Sequence, residues 1–242
     1  MLCTALFAVP FHPPQDPASN VYILLRYIHV LAGITWIGML YFFNLVNVPF
    51  MKEAEAPMKP AIMRSMTLRA LFWFRWGAVV TVLAGLIYWI IWSATEAHNG
   101  GGSVGMLHGT FFGIWIVAFA IEYAVITMVK GLKGPALAVI MAVLMSLAAW
   151  GFLCLNSEPY FSNHVLSIGV GGGMGLLMML NVWGIIWRNN KKIINGVLAG
   201  TPHPDAATLA RQAFLASRTN TWLSLPMLFF MVAAGHYAMF GS

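Results

Sequence analysis

Charge is the scarcest feature of this sequence. Asp, Glu, Lys and Arg together make up 8% of its 242 residues, whereas hydrophobic residues make up 60%. Because soluble domains carry about a quarter of their residues as charges, this scarcity excludes a soluble globular protein. The mean hydropathy of +0.78 predicts an integral membrane protein instead. The net charge of +6 does not indicate a nucleic-acid partner, because the basic residues lie almost entirely between the apolar segments.

Cysteine is also scarce, which excludes several kinds of site. Cys3 and Cys154 are the only two, and the sequence contains no C-x-x-C-H motif. The chain therefore cannot attach a c-type haem covalently, and it has no cysteine cluster for zinc or iron–sulfur. Lys and Arg are absent from residues 1–20, which excludes the basic start of a secretory signal peptide. We expect these residues to form an external N-terminal segment at the membrane surface.

Strand-like alternation is missing as well, and six apolar segments take its place. Each is near the ~20 residues needed to cross ~30 Å of hydrocarbon. Without strands, helices are the remaining way to satisfy the backbone in lipid. The sequence thus predicts an all-α bundle of six transmembrane helices in the bilayer, forming one domain over residues 1–242. The predicted spans are at about 21–47, 70–92, 106–129, 135–155, 163–187 and 221–240.

The basic residues predict how these spans are oriented. Outside the spans, Lys and Arg occur only on alternate loops. Because cytoplasmic loops are the ones enriched in Lys and Arg, both termini are predicted to lie outside a bacterial inner membrane. Residues 188–220 become a cytoplasmic loop, with a helix over about 205–218 that either lies on the inner surface or extends into the sixth span. Arg26 and Arg75 are the only basic residues inside predicted spans.

Four histidines are predicted to lie in the outer half of four different spans. They are His29, His108, His164 and His236. Zinc or non-haem iron normally recruits a carboxylate or thiolate as well, and Cys154 alone offers one there. We therefore favour one or two b-type haems with these histidines on the iron. Similar depths suggest pairing His29 with His236 and His108 with His164. The alternative is that each histidine only forms a hydrogen bond to a neighbouring helix.

Arg26 is predicted to assist haem binding. It lies one turn from His29 on a polar stripe of the first span, and the propionates of haem favour a nearby cation. Trp36, Phe112 and Trp115, together with the glycine-rich fifth span, are candidates for lining the porphyrin ring. Aromatic residues at helical spacing are equally typical of an ordinary packed core.

Glu122 and Arg75 are predicted to form an ion pair nearer the cytoplasmic side. An isolated charge is costly inside a membrane, and the two residues lie at similar depths in the third and second spans. Asn44 or Asn47 would join them. Such a pair would mainly lock helices together, and the alternatives are a proton path or a substrate site.

Several segments carry a resemblance to a known family. They read HVLAGITWIGMLYFFNLVNVPF, LRALFWFRWGAVVTVLAGLIYW, HGTFFGIWIV, NVWGIIWRNNKKII and SLPMLFFMVAAGHYAMF. In order and spacing, residues 21–240 resemble the membrane domain of the bacterial cytochrome-c-type urate oxidase family. His29, His108 and His236 lie inside these motifs. The segment that begins at His29 also distantly resembles the haem-binding membrane protoporphyrinogen oxidases.

The resemblance implies a membrane oxidoreductase that passes electrons from urate to a c-type cytochrome. In that family the membrane part continues into a periplasmic cytochrome domain, whereas this sequence stops at Ser242. We therefore expect a c-type cytochrome on another polypeptide to accept the electrons. One alternative is a non-catalytic accessory subunit of a larger respiratory or photosynthetic electron-transfer complex. Others are an oxygen-independent porphyrinogen oxidase and a metal transporter.

Overall fold

The computed structural model describes residues 14–129, 131–156 and 160–240. Every regular element in these residues is helical, which confirms the predicted all-α fold. The residues before 14, which include most of the predicted external segment, lie outside the described part. Six long helices follow one another: α1 Pro17–Glu53, α2 Ala56–Gly100, α3 Val104–Met128, α4 Gly134–Asn156, α5 Asn163–Leu198 and α6 Ala206–His236.

Five of these helices, α1 to α5, are long and apolar enough to cross a membrane, counting only the described residues. α6 is less apolar, because its middle contains Thr219, Asn220 and Ser224. All three side chains are buried against neighbouring helices rather than facing outward. The sixth span therefore remains a prediction.

Local signals in the sequence explain where the helices begin and end. The Asp16 carboxylate accepts a hydrogen bond of 2.8 Å from the Ser19 N–H at the start of α1. Ser103 and Ser162 cap α3 and α5 in the same way. Gly101 ends α2 with φ of +78°, a conformation that glycine adopts without steric cost. The connections are short, so successive helices run antiparallel.

Residues 188–220, which were predicted to form a cytoplasmic loop, are mostly helical. The predicted end of the fifth span and the predicted start of the sixth are therefore corrected. α5 continues beyond the predicted fifth span to Leu198, and α6 begins directly after Asp205. Of the two alternatives for the helix over 205–218, the structure shows the one that extends into the sixth predicted span. The fully buried Asn189 joins the end of α5 to the start of α6, because its amide donates hydrogen bonds to the Leu209 carbonyl and the Gln212 side chain.

α5 is the most buried helix, and its glycines allow the close approach of large side chains. The indole of Trp115 on α3 is fully buried and lies directly over Gly173. A Cβ atom added at Gly173 would lie 1.9 Å from that indole. At the neighbouring Gly172, the nearest atom would be the flexible end of Met231 at 3.7 Å.

This contrast predicts that Gly173→Ala lowers the free energy of unfolding by about 1–3 kcal/mol or more, as overpacking of a core does. Gly172→Ala should have little effect. Thermal unfolding of the two variants in detergent provides the comparison. Equal melting temperatures for both would contradict the close packing of α3 on α5.

Candidate functional site

A cavity of about 670 Å³ lies between α1, α2, α5 and α6. Its volume is within the range of ~300–1,000 Å³ typical of sites for small molecules and cofactors. Its wall is apolar apart from a small set of side chains. The residues that bring polar groups to the wall are Arg26, His29, Tyr41, Thr81, Tyr88 and His164.

His29 is held on the cavity wall in one orientation. Its Nδ1 atom lies 2.8 Å from the carbonyl oxygen of Thr81 on α2. Because a carbonyl only accepts hydrogen bonds, Nδ1 must carry the proton, and Nε2 is left with a free lone pair. Gly85 makes room for the ring, since a Cβ there would lie 2.6 Å from the His29 Nδ1 atom. A backbone carbonyl on one imidazole nitrogen is the usual way to orient a histidine that binds metal through the other.

His164 reaches the same cavity from the start of α5. Its Nε2 atom lies 3.3 Å from the Tyr88 hydroxyl, and its ring packs on Trp92 at 5.3 Å between centroids. The guanidinium of Arg26 lies 5.8 Å from the centre of the Tyr88 ring. A cation and two imidazoles are thus brought to one apolar cavity. Arg26 forms no ion pair with any residue that the structure describes, so its charge is available to a ligand.

His108 and His236 do not line this cavity. His108 lies behind Trp89, with its ring 5.4 Å from that indole and its Nε2 atom 2.9 Å from the Ser93 hydroxyl. His236 is the last residue of α6 and is exposed. The structure therefore places His29 and His164 on the wall of one cavity, whereas the depths in the sequence had suggested His236 as the partner of His29.

The other residues predicted to line a porphyrin ring divide in the same way. Trp36 lies on the cavity wall, and so do Gly172 and Gly175 of the glycine-rich fifth span. Phe112 and Trp115 belong instead to the packed core. The glycine-rich segment thus serves both close packing and the shape of the cavity.

The predicted ion pair between Glu122 and Arg75 is wrong. Glu122 is fully buried, and its Oε1 atom accepts a hydrogen bond of 2.8 Å from the amide of Asn181. Arg75 lies over the ring of Trp187, with its guanidinium carbon 3.8 Å from the ring centre. The electron-rich faces of tryptophan replace the expected carboxylate as partner of this cation. The two asparagines of α1 predicted to join the pair form hydrogen bonds with neither residue.

Two further asparagines belong to the polar interior and were not predicted. Asn181 on α5 and Asn220 on α6 are fully buried, and the Asn181 amide donates to the Asn220 side-chain oxygen at 2.9 Å. The signal that points to them is simple. Asparagine is costly in a membrane unless it has a partner inside the protein, so such residues in apolar helices mark polar contacts.

The fold and the cavity define a helical protein of membrane character with an imidazole-lined apolar site. Comparison with known families agrees with the resemblance noted above. The family model described as urate oxidase N-terminal matches residues 58–242, so the chain belongs to that family. The match covers His164 and most of α2 to α6, whereas Arg26 and His29 on α1 precede it. No curated protein and no solved structure matches the chain.

The position of Arg75 predicts an energetic coupling that can be measured. Arg75→Gln and Trp187→Leu, made singly and together, should show a coupling of ~0.5–2 kcal/mol in unfolding free energy because they remove one cation–π contact. The matched cycle of Arg75→Gln with Glu122→Gln should be additive. Coupling between Arg75 and Glu122, together with additivity between Arg75 and Trp187, would support the predicted ion pair instead.

Proposed function

We propose that this protein is an integral membrane electron-transfer protein that binds haem b in the cavity. His29 and His164 would hold the iron, and Arg26 would pair with the propionates. The observation that carries this proposal is the arrangement of His29, whose Nδ1 atom is engaged by a backbone carbonyl while the ring lines a large apolar cavity. Histidine on the wall of an apolar slot is the common way for proteins to hold haem.

The residues present fit such a cofactor. A planar macrocycle needs apolar surroundings and little side-chain bulk, and four glycines lie on the wall in addition to Gly85. They are Gly33, Gly38, Gly172 and Gly175. The iron needs an imidazole nitrogen with a free lone pair, which His29 provides and which His164 would provide by giving up its contact with the Tyr88 hydroxyl. The propionates need a cation, which Arg26 provides.

Haem supplies one-electron oxidation and reduction when it is bound. The residues of this chain would hold the haem, orient it and set its reduction potential. The apolar wall excludes water, which lowers the local dielectric and strengthens the influence of each nearby charge. The positive charge of Arg26 would disfavour the more positive, oxidised iron and would thereby raise the reduction potential.

Membership of the urate oxidase N-terminal family supports urate as the candidate source of electrons. The resemblance described in the sequence analysis implies a c-type cytochrome as their acceptor. The cavity itself is a poor match for urate, because urate has hydrogen-bonding groups around its whole edge, whereas the side chains of His29, Tyr41 and Thr81 on the wall already form hydrogen bonds within the protein. We therefore assign the cavity to the cofactor rather than to the substrate.

A second candidate is an accessory subunit of a larger electron-transfer complex. The observation that favours it is the wall between α1 and α6, where Val30, Ile34 and Val232 line the cavity and are also exposed. Another subunit packed there would close the cavity. Purification of the chain in a stable complex, without haem of its own, would favour this function.

The haem proposal predicts one outcome for His29 and His164 and a different one for His236. His29→Ala or His164→Ala should remove the haem or convert it from low-spin to high-spin, because each takes away one of the two residues that would hold the iron. His236→Ala is the matched control and should keep the spectrum of the unmodified protein. Oxidised and dithionite-reduced absorption spectra of the purified variants measure this. Loss of haem from His236→Ala with retention in the other two would contradict the assignment.

The orientation proposed here is six spans with both termini outside the cytoplasm. A reporter that is active only outside the cytoplasm should therefore be active when fused after Ser242. The same reporter inserted between α5 and α6, near Gly200, should be inactive, because the Lys and Arg residues flanking that turn favour the cytoplasm. Activity at Gly200 and none at Ser242 would reverse the proposed topology.

A further inference from the structure

Glu122 differs from every other acidic residue that the structure describes, because it is the one that is fully buried. It lies in the inner part of α3, among apolar residues, where a carboxyl group without a compensating partner is costly. Its Oε1 atom accepts the hydrogen bond from Asn181. The opposite oxygen, Oε2, is buried and has no hydrogen-bond partner.

Asn181 has a matching unpaired atom. Its Nδ2 group donates to both Glu122 and Asn220, whereas its Oδ1 atom is buried without a partner. Both unpaired atoms are acceptors when Glu122 is ionised. A proton on Glu122 Oε2 would turn that atom into a donor for Asn181 Oδ1. One proton would thus satisfy both atoms and close a pair of hydrogen bonds between the acid and the amide.

The charged groups around Glu122 are engaged elsewhere. Arg75 on α2 lies over Trp187, and Arg188 on α5 donates to the Tyr123 hydroxyl at 2.7 Å. α4 contains no Asp, Glu, Lys, Arg or His. From α6 the polar neighbour is the neutral Asn220, through Asn181. No described cation therefore offsets a negative charge on Glu122.

A line of polar groups leads from this residue to the cavity. The Tyr41 side chain lines the cavity, and its hydroxyl lies 2.9 Å from the Ser224 hydroxyl on α6. Asn220 lies four residues before Ser224 on the same face of α6, a separation of ~5–6 Å between Cβ atoms. Asn220 is hydrogen-bonded to Asn181, which reaches Glu122.

We propose that Glu122 is a proton-binding site inside the bundle, which holds a proton shared with Asn181 and exchanges it with the cavity through Asn220, Ser224 and Tyr41. The ligand is a proton rather than a sodium ion, because a metal ion of that kind needs a fuller shell of oxygens than these two free acceptors. The inference concerns the chain's own residues and does not depend on what occupies the cavity.

The first test asks whether Glu122 is protonated. The unmodified protein at neutral pH should show the infrared C=O band of a protonated carboxylic acid, and Glu122→Gln should lack it. Glu122→Gln should also keep the wild-type melting temperature, because the glutamine amide can donate to Asn181 as the acid does. Glu122→Ala should melt lower, because it removes the hydrogen-bond partner that Asn181 has on α3.

Two results would overturn the proposal at this point. One is the absence of the acid band from the unmodified protein at neutral pH. The other is a rise in melting temperature with sodium chloride, relative to choline chloride, that Glu122→Gln abolishes, since that would identify a sodium site.

The second test asks where the proton comes from. After transfer into deuterated buffer, the acid band shifts as the proton exchanges, and Ser224→Ala should slow this shift severalfold. Thr221→Val is the matched control, because the Thr221 and Ser224 hydroxyls each donate to a carbonyl of α6, whereas only the Ser224 hydroxyl is hydrogen-bonded to Tyr41. Exchange at the wild-type rate in Ser224→Ala would overturn the connection to the cavity. None of these measurements requires haem, so failure of the haem proposal would be seen separately.

Discussion

The hydrogen bond from His29 Nδ1 to the Thr81 carbonyl is the interaction on which the site depends. It joins α1 to α2 and fixes both the tautomer and the direction of the imidazole. It forms because Gly85 leaves the space that a side chain would fill. Without this contact His29 would be one more polar group in an apolar span. With it, the chain presents a fixed nitrogen lone pair to a large cavity.

Polar groups in this protein gather at two levels within a largely apolar bundle. One level is the cavity, where Arg26, His29 and His164 lie. The other is the cluster of Glu122, Asn181 and Asn220 deeper in the helices. Because each polar group needs a partner inside a membrane, such clusters persist only where several helices contribute. α5 contributes to both levels, which agrees with its position as the most buried helix.

The sequence predicted the helices and the depths of their polar residues, but not which faces meet. Hydropathy predicts how deep His29 and His164 lie along their spans. It does not show that His164 on α5 lines the same cavity as His29 on α1. The contact of Arg75 with Trp187 could not be predicted either, because in a sequence an aromatic residue that binds a cation looks the same as an ordinary core residue. The π-helical segment Val182–Trp187 also changes the helical repeat just where Trp187 lies.

The central claim of this account is that the cavity holds one haem b between His29 and His164. The most direct test is the haem content of the purified, unmodified protein, measured from its reduced absorption spectrum and expressed per polypeptide. We predict one b-type haem per chain, because His108 and His236 lie outside the cavity. A value of zero would contradict haem binding, and a value of two would contradict the assignment of the site to this cavity alone.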